Sequence, residues 1–449
     1  MALIKRPLRK RSLKQDKKSK PIKNGKITFI LSEDYDAPAT HIRYHITAIL
    51  AVHWVQFVAQ YKRWIRPVVF ENVRKVLACR TPILGCHIYQ CKGCGHVKLI
   101  PHSCKSRFCP TCGKHATDVW ANQVLNALLD VPYHHLIMAI PWQLRIVIIM
   151  NRKAGINLLV HAATAAIQQW ARDIKGMRMG ILIVIHTFGA DMKWHPHIHL
   201  IVTAGGLSLD GKRWIATDPK FLMYHGGLKK RWKYQVTTRM KRAHRERQWR
   251  FPKSKDFLKQ YPCFASMLNK LWNLTWYAHI GACLLDPRFS VQYIGRYTKR
   301  AVMAEYRIVY YDGKIVRFSY KDYAHGAKTS YMTLKVYTFI ARLIRHIPDK
   351  HFPMIRYAGL FSNRWRKQYL AQARIALNQP ETDDVDTNIQ TSWAERQTDY
   401  TGIDPLQCPN CDKPLTFVGC FFGNWTELQQ LFIIAGKDSS IAAALLRPG

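Results

Sequence analysis

Acidic side chains are scarce in this sequence. Only 28 Asp and Glu stand against 69 Lys and Arg in 449 residues, a formal charge of +41. Self-repulsion on that scale works against a compact state and calls for a polyanionic partner, of which nucleic acid is the obvious candidate. Long apolar runs are also missing. No stretch approaches the roughly 18 uninterrupted apolar residues of a membrane span, and the start lacks the apolar core of an export signal. The expectation is a cytoplasmic, nucleoid-associated protein with no membrane partner. No fixed-period repeat is present, which argues against a solenoid. Nor are the cysteines spread as in a disulfide framework, since seven of the twelve fall between Cys79 and Cys112, a distribution that suits metal binding in a reducing compartment.

What is present is enough apolar residues, 48% of the chain, for two or three domains with cores of their own. Residues 1–27 are Lys/Arg-rich and poor in apolar groups, which predicts a flexible basic arm touching phosphates. Residues 28–117 read as a helical and zinc-binding, DNA-binding domain, its helical pattern carried by Ile46, Ile49, Leu50, Trp54 and Phe57 at three- and four-residue steps. Residues 118–378 read as the catalytic domain, with helices near 118–130 and 156–174 around a strand, PYHHLIMAIP. Two strand-like runs follow, ILIVIHTF and HPHIHLIVTAGG, joined as a hairpin through Gly189, Ala190 and Asp191. The basic stretch 228–260, interleaved with aromatics, suits backbone neutralisation and base stacking on single strands. A helix is expected near 289–303. YRIVYYDGKIVRFSY then carries Asp312 and Gly313 at a type I′ hairpin turn, and helical patterns recur at 333–347 and 364–377. An acidic linker, 379–400, leads to a small C-terminal piece, 401–449, holding the sequence CPNC.

Three groups of residues carry chemistry. Cys91 and Cys94 form one CxxC and Cys109 and Cys112 another; two such knuckles complete a closed tetrahedral Zn²⁺ shell, a structural site. His87 and Cys104 are alternate ligands, with His102 and Cys86 also near. Arg107, with Lys105 and Lys114, gives this module positive charge for DNA. A third CxxC, Cys408 and Cys411, is half a site, with Cys420 a candidate third ligand and no evident fourth. His195, His197 and His199 alternate on one strand, so their side chains leave one face about 7 Å apart at successive steps. His197 and His199 can hold a divalent cation and leave positions open for substrate oxygens; the third ligand is His186, His195 or Gln292. Tyr293 and Tyr297, four residues apart, would share one helix face. Both hydroxyls could then reach one metal-bound phosphate, with Arg296 and Arg300 supplying positive charge that favours the phenolate.

These motifs, in this order, resemble the two-tyrosine, rolling-circle HUH transposases of bacterial insertion sequences. The resemblance runs through His87, Cys91, Cys94, Ser103, Cys104, Arg107, Cys109, Pro110 and Cys112, then HTFGADMKWHPHIHLIVTAGGLS and YIGRYTKR. It continues in FSYKDYAHGAKTSYMTL, IRYAGLFSNRWR and the CPNC knuckle. Cys86 stands where the family pattern has glycine, and Lys299 where it has histidine. The resemblance implies an α+β fold: an antiparallel-sheet, ferredoxin-like HUH endonuclease domain with an N-terminal zinc module and helical additions. It further implies Mg²⁺ or Mn²⁺ on His197 and His199, Tyr293 and Tyr297 as nucleophiles, and single-stranded or hairpin transposon ends as substrate. A plasmid replication initiator or relaxase would use the same chemistry. A non-catalytic zinc-finger DNA-binding protein would explain the charge and the CxxC pairs, but not the histidine strand and tyrosine pair together.

Overall fold

The computed structural model describes residues 45–112, 124, 128–285, 302–380 and 392–422. The basic arm 1–27 and the tyrosine segment therefore lie outside the described residues, as do the helix expected near 289–303, apart from its last two positions, and most of 118–130. In chain order the elements are α1 (Ile46–Tyr61), α2 (Pro67–Leu77), β1 (Cys86–Cys91), β2 (Val97–Pro101), β3 (Tyr133–Ala139), α3 (Arg145–Met150), α4 (Arg152–Lys175) and β4 (Met177–Arg178). Then come β5 (Gly180–Phe188), β6 (Trp194–Thr203), β7 (Gly205–Ser208), β8 (Trp214–Ala216), α5 (His225–Arg245), α6 (Tyr261–Trp272) and β9 (Tyr277–Leu284). The chain continues through β10 (Ile308–Tyr311), β11 (Ile315–Asp322), β12 (Lys328–Lys335), α7 (Val336–Arg345), β13 (Ile355–Gly359), α8 (Arg366–Ala376), α9 (Trp393–Thr401) and β14 (Leu415–Phe421). Mixed helices and antiparallel sheets make this an α+β protein. No helix among the described residues is long and apolar enough to cross a membrane.

The central sheet has the order β13-β5-β6-β3-β9, every neighbour antiparallel. Its strands β3, β5, β6 and β9, with α3 and α4 after the first and α5 and α6 after the third, form the split βαββαβ arrangement of ferredoxin-like domains. The local reason is visible in β5, GILIVIHTF, whose first eight residues are buried: an apolar run without alternation suits a strand covered on both faces. On one face, Ile181, Ile183, Ile185, Ile198, Leu200 and Val202 pack against the stripe Ile156, Leu159, Val160, Ala163 and Ile167 of α4. Gly176 ends that helix in the left-handed conformation, φ +63°. On the other face, Leu182, Val184 and Ile201 meet Leu360, Phe361 and Leu370. That second core covers only part of the face, and the histidines occupy the remainder.

A further core joins α1 and α2 to the β10–β12 sheet and α7, with Phe108 and Cys109 of the cysteine module and Met192 from the tip of the β5–β6 hairpin. Pro67 opens α2 at its first turn, where its missing N–H costs nothing. β1 pairs with both β2 and β14 in a separate three-stranded sheet, order β14-β1-β2.

Three local expectations change. The helical pattern at 333–347 starts only at Val336, because residues 328–335 form strand β12. The turn at Asp312–Gly313 is not type I′, which needs positive φ at both central residues; only Gly313 has it, at +86°, and Asp312 Oδ1 instead accepts the Lys314 and Ile315 amides at 2.8 Å each. The basic stretch 228–260 is not a free stacking surface throughout. Trp232 and Trp249 are buried, and the Trp232 indole donates to the Ala139 carbonyl at 3.0 Å, so α5 spends one aromatic face on the core and leaves Tyr234 outside.

Candidate metal centres

Cross-strand register brings the histidines together. In the central sheet His186 faces His197, and His199 sits between Val184 of β5 and Ile137 of β3. Facing residues of an antiparallel pair share a side of the sheet, so His186, His197 and His199 stand on the face away from α4. Their ligand nitrogens all lie within 4.8 Å of one another. The ring centroids are 5.2 Å apart for His186 and His197, 4.2 Å for His186 and His199, and 4.9 Å for His197 and His199.

The ring orientations are fixed by their outer nitrogens. His197 Nδ1 donates to the His195 carbonyl at 2.7 Å, which leaves Nε2 with its lone pair. His199 Nδ1 is 2.9 Å from His135 Nε2, while His199 Nε2 is buried and meets no hydrogen-bond partner among the described residues. A backbone carbonyl on the far nitrogen, as at His197, is one of the ordinary ways metal-ligating histidines are held. Burial, followed by the charge of neighbouring groups, holds His186 and His199 well below the usual histidine range, and burial pushes His197 down to about 4. All three are neutral at pH 7, the protonation state a cation requires. Two cations border them. Arg107 of the cysteine module places its charge on His186, and Arg145 at the start of α3 places its charge on His195 and His197.

Of the three third-ligand candidates, His186 joins the pair. His195 contributes its carbonyl, and its ring stands outside the group, 5.1 Å by centroid from that of His197. Gln292, Tyr293, Arg296, Tyr297 and Arg300 lie outside the described residues. Neither His135 nor Arg145 stood out in the sequence. His135 was visible only as a polar residue in an apolar strand, and its link to His199 depends on strand register.

The cysteines do not combine as Cys91, Cys94, Cys109 and Cys112. Cys109 and Cys112 gather instead with Cys79 and Cys104. Sulfur separations there are 3.5 Å for Cys79 and Cys112, and 3.7 Å for both Cys104–Cys112 and Cys79–Cys109. The physical reason is the β1–β2 hairpin, which leaves from the end of α2 and returns to it: the Arg80 amide bonds the His102 carbonyl at 3.1 Å, and the Cys104 amide donates to Cys79 Sγ at 3.3 Å. Cys91 and Cys94, at the far end of that hairpin, lie instead with Cys408 and Cys411. The alternate ligand His87 belongs to neither group; its Nδ1 is 2.9 Å from Cys420 Sγ. A tetrahedron with Zn–S bonds of about 2.3 Å has sulfur edges of about 3.8 Å, so the Cys79, Cys104, Cys109, Cys112 group fits a zinc ion.

The same two regions match known families. Residues 49–140 match the family model described as "Transposase zinc-binding domain", and residues 180–368 match one described as "Putative transposase". Among curated proteins, the chain is 32% identical over 372 residues to the "Transposase for insertion sequence element IS801" of Pseudomonas savastanoi pv. phaseolicola, covering 80% of this chain and 85% of that protein. It is 31% identical over 337 residues to the "Putative transposase y4qJ" of Sinorhizobium fredii, covering 75% of this chain and 85% of that one. No solved structure matches the chain. The chain belongs to the IS91 family of insertion-sequence transposases, DNA-acting proteins with an N-terminal zinc-binding domain.

Proposed function

We propose that the chain nicks and transfers single DNA strands at transposon ends through a 5′-phosphotyrosine intermediate. The observation that carries this reading is the cluster of His186, His197 and His199: three neutral imidazoles on one sheet face, with two arginines beside them. Three nitrogen donors suit a divalent ion softer than Mg²⁺, so of Mg²⁺ and Mn²⁺ the second is the better match. When bound, such an ion would withdraw charge from the oxygens of the scissile phosphate. Arg107 and Arg145 orient the same phosphate and offset its charge. Tyr293 or Tyr297, as phenolate, forms the new O–P bond; the bond from phosphorus to the 3′ oxygen breaks, and that oxygen leaves as a hydroxyl after taking up a proton. The ester bond is conserved on the tyrosine for the later transfer. Two tyrosines allow two such exchanges without release of the DNA. The described chain leaves the sheet after β9 and resumes at Val302, and Arg307 then bonds the Ala190 carbonyl at the β5–β6 hairpin tip. One described end thus belongs to the sheet that bears the histidines, and the other reaches the tip of its β5–β6 hairpin. Single-stranded or hairpin ends are the substrate this geometry suits, and nucleoid association follows from the charge.

The test is a covalent adduct. Full-length protein incubated with labelled single-stranded element ends and Mn²⁺ or Mg²⁺ should yield a labelled band that survives denaturant. The band should vanish in the double variant Tyr293→Phe, Tyr297→Phe and in His197→Ala, His199→Ala. An adduct that persists in the tyrosine double variant would sink the assignment.

A further inference from the structure

The sequence CPNC at 408–411 belongs to neither matched region, since these end at residues 140 and 368. Its thiols nevertheless face the N-terminal knuckle. Cys91 Sγ is 3.4 Å from Cys411 Sγ, Cys94 Sγ is 3.6 Å from Cys408 Sγ, and all four sulfurs lie within 4.8 Å of one another. A disulfide would bring two sulfurs to about 2.05 Å. The observed spacing is close to the roughly 3.8 Å sulfur edge of a zinc tetrathiolate.

The two knuckles are also built alike. The Cys91 amide donates to the His96 carbonyl at 2.8 Å and the Gly95 amide to the Cys91 carbonyl at 2.9 Å. The Cys408 amide donates to the Lys413 carbonyl at 2.9 Å and the Asp412 amide to the Cys408 carbonyl at 3.0 Å. The residue after the second cysteine is left-handed in both, Gly95 at φ +73° and Asp412 at φ +57°. Such paired turns aim four thiols at one point.

The surrounding sheet joins the two halves. β14 starts opposite Cys91, with Leu415 as its partner, and runs along β1 to Phe421 opposite Cys86. Lys98 Nζ donates to the Pro405 carbonyl at 2.8 Å, and Asn410 Nδ2 to His96 Nδ1 at 3.3 Å. Gly85, at φ +86°, lets the strands close: a Cβ there would stand 2.1 Å from the Phe421 carbonyl oxygen. Around the four thiols the apolar cluster is Cys91, Cys408 and Leu415, with Tyr89 and Cys411 beside them. An ion bound there would add its binding free energy to the stability of the folded unit.

We propose that Cys91, Cys94, Cys408 and Cys411 hold a second structural Zn²⁺, in a zinc ribbon assembled from segments 314 to 320 residues apart in sequence. The ion makes β14 part of the N-terminal module, and the module is complete only after the chain has passed through the catalytic sheet and returned.

The test counts zinc in the full-length chain carrying His197→Ala and His199→Ala, so that the histidine centre adds no ion, and it requires no DNA cleavage. Elemental analysis should find two zinc ions per chain. Cys408→Ser with Cys411→Ser should leave one, Cys91→Ser with Cys94→Ser should leave one, and the quadruple variant should also leave one, because both pairs serve a single site. Two ions remaining after the 408/411 change, or a quadruple variant with none, would overturn the proposal. Pulsed thiol alkylation of the unsubstituted chain gives a readout free of folding defects. Cys91, Cys94, Cys408 and Cys411 should become reactive together as chelator is raised. Cys408 and Cys411 reacting before chelation, while Cys91 and Cys94 stay protected, would equally overturn it.

Discussion

His346 lies between α7 and the β5–β6 hairpin and should make that junction acid-sensitive. Its ring is buried. Nε2 donates to the Met192 carbonyl at 3.0 Å, Nδ1 accepts from the Thr187 hydroxyl at 3.1 Å, and the ring stacks on Trp194 at 5.9 Å between centroids. Burial, with smaller contributions from the charges of Arg152 and Arg345, pushes its pKa from 6.5 down to about 3. At pH 7 the residue is neutral in folded and unfolded chains alike. Below pH 6.5 the unfolded chain takes up a proton that the folded chain refuses until about pH 3, so stability falls as the pH falls through that window. The slope is about 1.4 kcal/mol per pH unit for one proton. Between pH 7 and pH 5 this residue should therefore remove about 2 kcal/mol of stability.

The measurement is urea unfolding of the wild type and of His346→Gln at both pH values. Zinc release and the other buried histidines act on both proteins, so the difference between the two isolates His346. The stability advantage of the wild type should shrink by about 2 kcal/mol from pH 7 to pH 5, and the labelled His346 ring should show no titration by NMR above pH 5 in the wild type. Parallel stability curves, or a ring that titrates near pH 6.5, would refute the reasoning.

Replacing His135 by alanine removes the ring that meets His199 Nδ1; the Mn²⁺ concentration for half-maximal DNA cleavage should rise roughly 10- to 100-fold, with excess Mn²⁺ restoring the rate, and an unchanged metal dependence would count against the positioning role. Gly359→Ala places a Cβ 1.8 Å from the Met179 carbonyl oxygen at φ +62°, so it should cost at least about 2 kcal/mol and free β13 from β5; calorimetry showing no fall in melting temperature would contradict the geometry. Binding to a fluorescent single strand should weaken roughly 300-fold between 50 and 200 mM salt if roughly six phosphates are engaged. A flat anisotropy titration across that range would remove the electrostatic reading of the charge.

The strands and the histidine pair were legible because each depends on near neighbours. Apolar runs mark β5 and β6, and the two-residue spacing of His197 and His199 already sets them on one face. The cysteine partition was hidden for a physical reason. Each CxxC turn fixes two ligands locally, but which two turns share an ion is decided by where the intervening chain goes. The close spacing of Cys94 and Cys109 suggested one site, whereas the β1–β2 hairpin carries Cys91 and Cys94 away from the base where Cys79 and Cys104 meet. The same reasoning explains why Cys79 was passed over as a ligand: it is an isolated cysteine at the end of a helix, and only the return of the hairpin gives it partners. It also changes what the zinc-binding domain is for. Met192 from the hairpin tip is buried in the core that contains Phe108 and Cys109, and Arg107 adds its charge to His186. The domain therefore packs on the tip of the hairpin that carries His186 and His197. If the proposed function holds, a zinc ion lost from the Cys79, Cys104, Cys109, Cys112 group should lower DNA cleavage as well as DNA binding.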